Sequence, residues 1–172
     1  MSPDQEAEFR EFVAARSERL CRFAYLVCGD RGRAEDAVQK ALTKLALTWP
    51  KRRIANPDAY VRRIVVNAVN DERRLGWFRR ERLSWRLPEH ASPDPGEVGA
   101  LRVTILSALS RLPHRQRIAV LLRHWEDQSV ERTAEIMGCS TGNVKSQTAR
   151  GLQTLRGLLQ ESVPTQAEGA AQ

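Results

Sequence analysis

The chain has 172 residues, 28 of them Lys or Arg and 21 Asp or Glu, giving a formal charge of +7 and a pI near 10.0. Its length suits one ordinary domain or two small ones, and 41% apolar residues suffice for real cores, so disorder throughout is excluded. The longest apolar run, Phe23 to Cys28, falls far short of the roughly 20 residues that span a bilayer. Asp4, Glu6 and Glu8 stand where a secretory signal would be basic and then apolar, so the expectation is an intracellular protein with a polyanionic partner.

Ser2, Pro3 and Gln5 predict a helix start, with a hydroxyl cap, proline in the first turn and a capping-box partner. Phe9, Phe12, Val13, Leu20, Phe23 and Val27 then recur at helical spacing. Gly29 and Asp30 break that helix and cap a second one, whose apolar stripe is Ala34, Ala37, Val38, Ala41, Leu42, Leu45 and Trp49, and which Pro50 ends. A third helix starts at Asn56, Pro57 and Asp58, turns Tyr60, Val61, Ile64, Val65, Ala68 and Val69 inward, and runs to about Leu75 before Gly76. Residues 84–98, SWRLPEHASPDPGEV, hold Pro88, Pro93, Pro95 and Gly96, which disfavour helix and sheet alike, and predict an extended linker. Beyond it, Leu101, Ile105, Leu109 and Leu112 form a stripe that stops at Pro113, and Ile118, Leu121, Leu122 and Trp125 form the next. No stretch alternates with period two for long enough to predict a strand. The expected fold is therefore all-α: two small helical domains, residues 1–83 and 99–160, joined by a Pro-rich linker and followed by a disordered tail at 161–172.

Charge follows the same division. Residues 1–83 carry a net +6 and residues 99–160 a net +5, whereas the linker and the tail carry −2 each. Two basic units are thus joined by an acidic connector. Cys21, Cys28 and Cys139 are odd in number and have no ligand partners nearby, so buried free thiols are expected, with no disulfide framework and no zinc site.

From Val130 the pattern tightens, with Ala134 at the fifth place, Gly138 at the ninth and Val144 at the fifteenth. That is helix-turn-helix spacing: a small residue where two helices nearly touch, glycine where the turn takes a positive φ, and a β-branched plug from the second helix. Ser129 and Ser140 are the expected caps. In the second helix Val144, Thr148, Leu152 and Leu155 face inward, leaving Thr141, Asn143, Lys145, Ser146, Gln147, Ala149 and Arg150 as candidate duplex-reading residues. Arg and Lys suit guanine or phosphate, and Gln and Asn suit adenine. A solvated face on a structural hairpin is the bland alternative, and the spacing together with the +5 domain charge favours DNA.

Residues 49–85 hold ten basic and four acidic side chains with five of the chain's ten aromatics: Trp49, Tyr60, Trp77, Phe78 and Trp85. Cations along a backbone track with aromatic faces between them suit single-stranded nucleic acid. Tyr60 on an apolar helix face, with Trp77 and Phe78 packed against it, is the competing core reading. His90, His114 and His124 have no Cys or carboxylate constellation, there is no Gly-rich phosphate loop, and the acids sit beside bases on helix surfaces, so no catalysis, cofactor or metal is expected.

The run GDRGRAEDAVQKALTKLALTWP followed by NPDAYVRRIVVNAVNDERR resembles region 2 of bacterial RNA polymerase sigma factors of the sigma-70 family, and WEDQSVERTAEIMGCSTGNVKSQTARGLQTLR resembles region 4. Together they resemble the small extracytoplasmic-function (group 4) class, in its actinobacterial SigE-like branch, over roughly residues 6–160. The resemblance implies promoter recognition and melting in transcription initiation, with the first domain on the minus-10 element and the second on the minus-35 duplex. It implies that Asp36 and Gln39 dock on the β′ clamp of the core polymerase, beside Lys40, which departs from the usual acid there. It implies that the loop from Pro50 to Asn56, with Lys51, Arg52 and Arg53, captures a flipped base. Asn67 and Asn70 then face the melted strand, and Arg62, Arg63, Arg73 and Arg74 contact its backbone. The implied partners are core RNA polymerase (β′ clamp and β flap) and promoter DNA, with an anti-sigma factor as an optional further one, and the implied location is the nucleoid. A helix-turn-helix regulator with an N-terminal sensing or dimerisation domain is the alternative; the basic, aromatic N-terminal half with no room for a ligand-binding sheet disfavours it.

Overall fold

The computed structural model describes residues 1–51, 54–78 and 97–162. Its helices are α1 (Pro3–Cys28), α2 (Arg31–Thr48), α3 (Pro57–Phe78), α4 (Glu97–Arg111), α5 (His114–Val120), α6 (Val130–Met137) and α7 (Thr141–Ser162), with a π-helical turn, Leu121–Trp125, continuing α5. No strand occurs among the described residues.

The predicted helix starts are present as hydrogen bonds. Ser2 Oγ accepts from the Gln5 amide and Gln5 Oε1 from the Ser2 amide, a complete capping box. Asp30 Oδ1 accepts from Arg33 at 2.8 Å after Gly29 has closed α1 with φ 75°. Asn56 Oδ1 accepts from Ala59 at 2.8 Å and so opens α3. α1, α2 and α3 pack as a three-helix bundle around Leu20, Phe23, Val27, Leu45, Val61 and Val65. Each large side chain sealed there contributes roughly 1.5–3 kcal/mol relative to exposure. Phe9 and Phe12 extend this core at one end by meeting Trp49, at ring-centroid distances of 5.3 and 5.5 Å.

In the second half α7 packs across α4, α5 and α6. The two halves also pack on each other: α3 lies against α6, and α1 against α5 and the π turn, so that Leu106, Leu109, Ile118, Leu122 and Ile136 join the same apolar cluster as the first bundle.

Several sequence expectations need correction. α3 runs through Gly76 to Phe78, because one glycine costs only about 1 kcal/mol in a helix of 22 residues. α4 begins at Glu97, inside the expected linker, and α7 extends to Ser162, one turn's edge into the expected tail. The inward line of α4 is Leu106 and Leu109, continued by Leu112 just past its end, while Leu101 is 59% and Ile105 42% exposed. α4 is apolar around a wide arc, so periodicity alone does not choose its buried line. Trp125 is 52% exposed and Glu126 takes its place inside at 3%, because the π turn inserts an extra residue into the helical register. The three cysteines form no disulfide and are only partly buried; burial pushes the Cys21 thiol above its ordinary value, with Glu35 adding to it. The rest of the expected linker, the remainder of the tail, Arg52 and Arg53, and the side chains of Trp77 and Phe78 lie outside the described residues.

Candidate nucleic-acid and polymerase interfaces

The helix-turn-helix forms as the spacing predicts. Ser129 Oγ caps α6 by accepting from Arg132 at 3.0 Å, Gly138 turns the chain at φ 63°, and Ser140 Oγ caps α7 by accepting from Asn143 at 3.2 Å. Val144 is fully buried against the first helix of the motif. Thr141, Asn143, Lys145, Ala149 and Arg150 are exposed, and Ser146 and Gln147 are half-buried. Thr148, Leu152 and Leu155 are half-buried rather than sealed. The exposed set lines the N-terminal half of α7, the part of such a helix that reaches base edges. Glu131, in the first turn of α6, has its carboxyl held below the ordinary value by a hydrogen bond from its own amide, by Ser129 and by the nearby Lys145. Sequence reasoning missed Gly151, which is buried where α7 crosses α5. A Cβ there would lie 2.6 Å from Val120 Cγ2 and 3.2 Å from the Gln116 carbonyl oxygen. A lone glycine inside a helical pattern was the available signal.

At the far end of the first bundle, α1 and the α2–α3 loop enclose a cavity of about 590 Å³, lined by Gln5, Glu8, Trp49, Lys51, Ile54 and Pro57, with Pro50 and Ala55 between them. Trp49, which meets Phe9 and Phe12, supplies its aromatic wall. The predicted capture loop therefore borders a hollow with an aromatic wall. Asn56 is occupied as the α3 cap. On α2, Asp36, Gln39 and Lys40 are all exposed on one face.

The predicted strand-binding residues of α3 divide. Arg63, Asn67, Arg73 and Arg74 are exposed. Arg62 is not: only 4% of its surface is open. Its guanidinium donates to Glu126 Oε2 at 2.7 Å and to Asp58 Oδ1 at 2.9 Å, and Arg19 reaches Glu126 Oε1 at 3.0 Å. Asn70 Oδ1 meets His114 Nε2 at 2.6 Å, and Arg117 donates to the Val27 carbonyl at 2.8 Å. All of these bonds except that from Arg62 to Asp58, which stays within α3, join the first half to the second. Burial holds the His114 imidazole down at about 4, and Arg73, Arg117, Arg115 and Arg33 push it the same way.

The sigma-70 region 2 family model matches residues 12–79 and the sigma-70 region 4 model residues 102–155. The chain is 37% identical over 156 residues to the RNA polymerase sigma-E factor of Streptomyces coelicolor, covering 87% of this chain and 84% of that protein. It belongs to the sigma-70 family of RNA polymerase sigma factors. Its relatives include the ECF RNA polymerase sigma factor SigE of Mycolicibacterium smegmatis, 29% identical over 167 residues, covering 93% of this chain and 65% of that one. The fold is shared with the sigma factor RpoE of Bartonella quintana, solved in complex with the anti-sigma factor NepR, at a TM-score of 0.72 and 24% identity over 89% of this chain and 97% of that one.

This sigma factor therefore carries region 2 in α1 to α3 and region 4 in α4 to α7, and region 2 occupies the half in which a helix-turn-helix regulator would hold its sensing domain. No group of His, Cys, Asp and Glu among the described residues could hold a metal ion, and no described helix is long and apolar enough to cross a membrane. Glu126 is the residue that sequence reasoning missed in the sigma factor's interior. Its neighbours gave no sign of burial, because the π turn that buries it has no compositional signature.

Proposed function

We propose that this sigma factor, itself no enzyme, docks on core RNA polymerase through Asp36, Gln39 and Lys40 and reads a promoter with two separable faces. Region 4 reads the minus-35 duplex through Thr141, Asn143, Lys145, Ser146, Gln147, Ala149 and Arg150. Region 2 receives the melted minus-10 strand on Arg63, Asn67, Arg73 and Arg74, with an unstacked base entering the cavity beside Trp49 and Lys51. Arg52 and Arg53 follow Lys51 in sequence and serve the same strand, and Asn56 caps the helix that follows. Its place of work is the cytoplasmic nucleoid, with region 2 reaching to about residue 83, a linker from there to the start of α4 at Glu97, region 4 running through α7, and a tail after Ser162.

The observation that carries this reading is the pairing, on one chain, of an exposed polar and basic recognition helix with a separate basic helix bordering a hollow with an aromatic wall. The seam between the halves adds a requirement. The minus-10 and minus-35 elements are about 25 base pairs apart, or about 85 Å of duplex at 3.4 Å per step, whereas a compact chain of this length has a radius of gyration of only about 16 Å. The closed molecule cannot span both, so the halves part on the promoter. Drawn out, 18 residues, the length of the segment 79–96, reach about 60 Å, and parting frees Asn70 from His114 and leaves Arg62 with Asp58 alone as its acidic partner.

Pull-down of core polymerase and run-off transcription by the reconstituted holoenzyme test the assignment. Asp36→Arg combined with Gln39→Ala should abolish core binding while region 4 of the same chain still shifts promoter duplex. Normal core retention by the double variant would remove the docking face from α2.

A further inference from the structure

The cavity of about 590 Å³ beside the α2–α3 loop is walled by apolar side chains, Trp49, Ile54 and Pro57, and by a few polar ones that differ in kind. Its size lies within the range of small-ligand pockets. Gln5 and Glu8, one helical turn apart on α1, line it from the side opposite the loop. Gln5 has its carboxamide oxygen engaged by the Ser2 amide at 2.9 Å, so what it offers a ligand is its amino end, a donor. Glu8 is the one acid among the described lining residues, and its ionised carboxylate only accepts. The positions a turn away from it on α1, Asp4, Gln5, Glu11 and Phe12, hold no base, and Arg10 pairs with Glu6 at 2.6 Å. A carboxylate beside a polyanion is repelled. Glu8 therefore weakens strand capture unless it accepts a hydrogen bond from the captured base. Thymine alone among the DNA bases has no exocyclic amino group: its single ring N–H sits between two carbonyl oxygens, whose lone pairs oppose an approaching carboxylate.

We propose that Glu8 is a specificity-determining residue: it accepts from the exocyclic amine of the unstacked base, so the cavity takes an amino base and rejects thymine, while Gln5 donates to an acceptor on the same edge. The inference rests on the base-capture reading of this cavity and adds to it the chemical class of base that enters. It also makes α1, and not the loop alone, the element that chooses.

Fluorescence anisotropy of the full chain with short labelled oligothymidylates, each carrying one central substitution, tests this at one fixed salt concentration. The flanking thymines are refused by the cavity, so the central base is the one read. Cytosine and uracil are nearly equal in size and differ in the exchange of an amine for a carbonyl and in the adjacent ring proton. The wild-type chain should bind the cytosine strand about tenfold tighter than the uracil strand. Adenine should be preferred to hypoxanthine in the same way, since the same exchange is made on a purine. Glu8 is exposed, so Glu8→Gln keeps the fold; its neutral carboxamide both donates and accepts, and the cytosine-to-uracil ratio should fall close to one. A ratio near one in the wild type, or a tenfold ratio that persists in Glu8→Gln, overturns the proposal. An abasic centre separates the two readings. If the abasic strand binds more weakly than both the cytosine and the uracil strands and these two bind alike, a base is captured but Glu8 does not choose it; if it binds as tightly as the cytosine strand, the base-capture reading fails as well.

Discussion

Single side chains decide how α7 is held and what it reads. Lys145 and Arg150 are exposed on its outer face, so truncating either side chain removes no buried surface from the core. Lys145→Ala and Arg150→Ala should therefore each weaken minus-35 duplex binding by roughly 1–3 kcal/mol with helix content unchanged. Gel shifts at one fixed salt concentration measure this, and wild-type affinity in both variants would exclude the outer face as the reader. Gly151 has the opposite character. A methyl group there would press on Val120 Cγ2 and on the backbone carbonyl of Gln116, of which only the side chain can move. Gly151→Ala gains helix propensity worth about 1 kcal/mol but must separate α7 from α5, and overpacking costs typically 1–3 kcal/mol. With a backbone atom in the way the clash wins, and the midpoint of urea unfolding should fall. A rise would mean that α7 can shift along α5 without loss.

At the level of elements, what the sequence made legible was whatever rests on local chemistry. The Ser2, Asp30, Asn56, Ser129 and Ser140 caps and the turn at Gly138 each need one residue type at one place, and each is where it was expected. The faces of α4 and the π turn were not legible, because a choice between two apolar lines, or an extra residue in a helical turn, depends on the neighbour packed against it. The inward face of Glu126 follows from that turn, and with it the ion pair to Arg62. Among the candidate site residues, those of α7 could be read from spacing, but the burial of Arg62 could not, since its partner is 64 positions away. Glu126→Ala leaves the Arg62 guanidinium buried with Asp58 as its remaining acidic partner. Loss of one member of a buried pair costs about 3–5 kcal/mol. That cost falls on the contact between the halves, because neither bundle contains the pair alone. Amide exchange should therefore quicken along the facing surfaces of α3 and α6 while Leu20, Phe23 and Val65 stay protected. Uniform loss of protection throughout region 2 would show instead that Glu126 holds up the first bundle itself.

For the molecule as a whole, the closed and parted forms should differ in how they bind protons. In the closed form His114 Nε2 donates a hydrogen bond to Asn70 Oδ1, and burial together with Arg73, Arg117, Arg115 and Arg33 keeps its pKa at about 4. Once the halves part, the imidazole returns towards its ordinary value of about 6.5. A group whose pKa is depressed in one form disfavours that form wherever the free group is protonated. The closed form thus keeps its full stability above about pH 6.5 and loses it progressively as the pH falls towards 4. At pH 5 the linkage amounts to about 2 kcal/mol, enough to shift a marginal equilibrium more than tenfold. Small-angle scattering should show the radius of gyration rising between pH 7.5 and pH 5 in the wild-type chain. His114→Gln keeps a neutral hydrogen-bonding group opposite Asn70 and cannot take up the proton, so its dimensions should stay constant over that interval. If both proteins expand alike, the opening is driven by something other than protonation of His114, which is then only a polar contact in the seam.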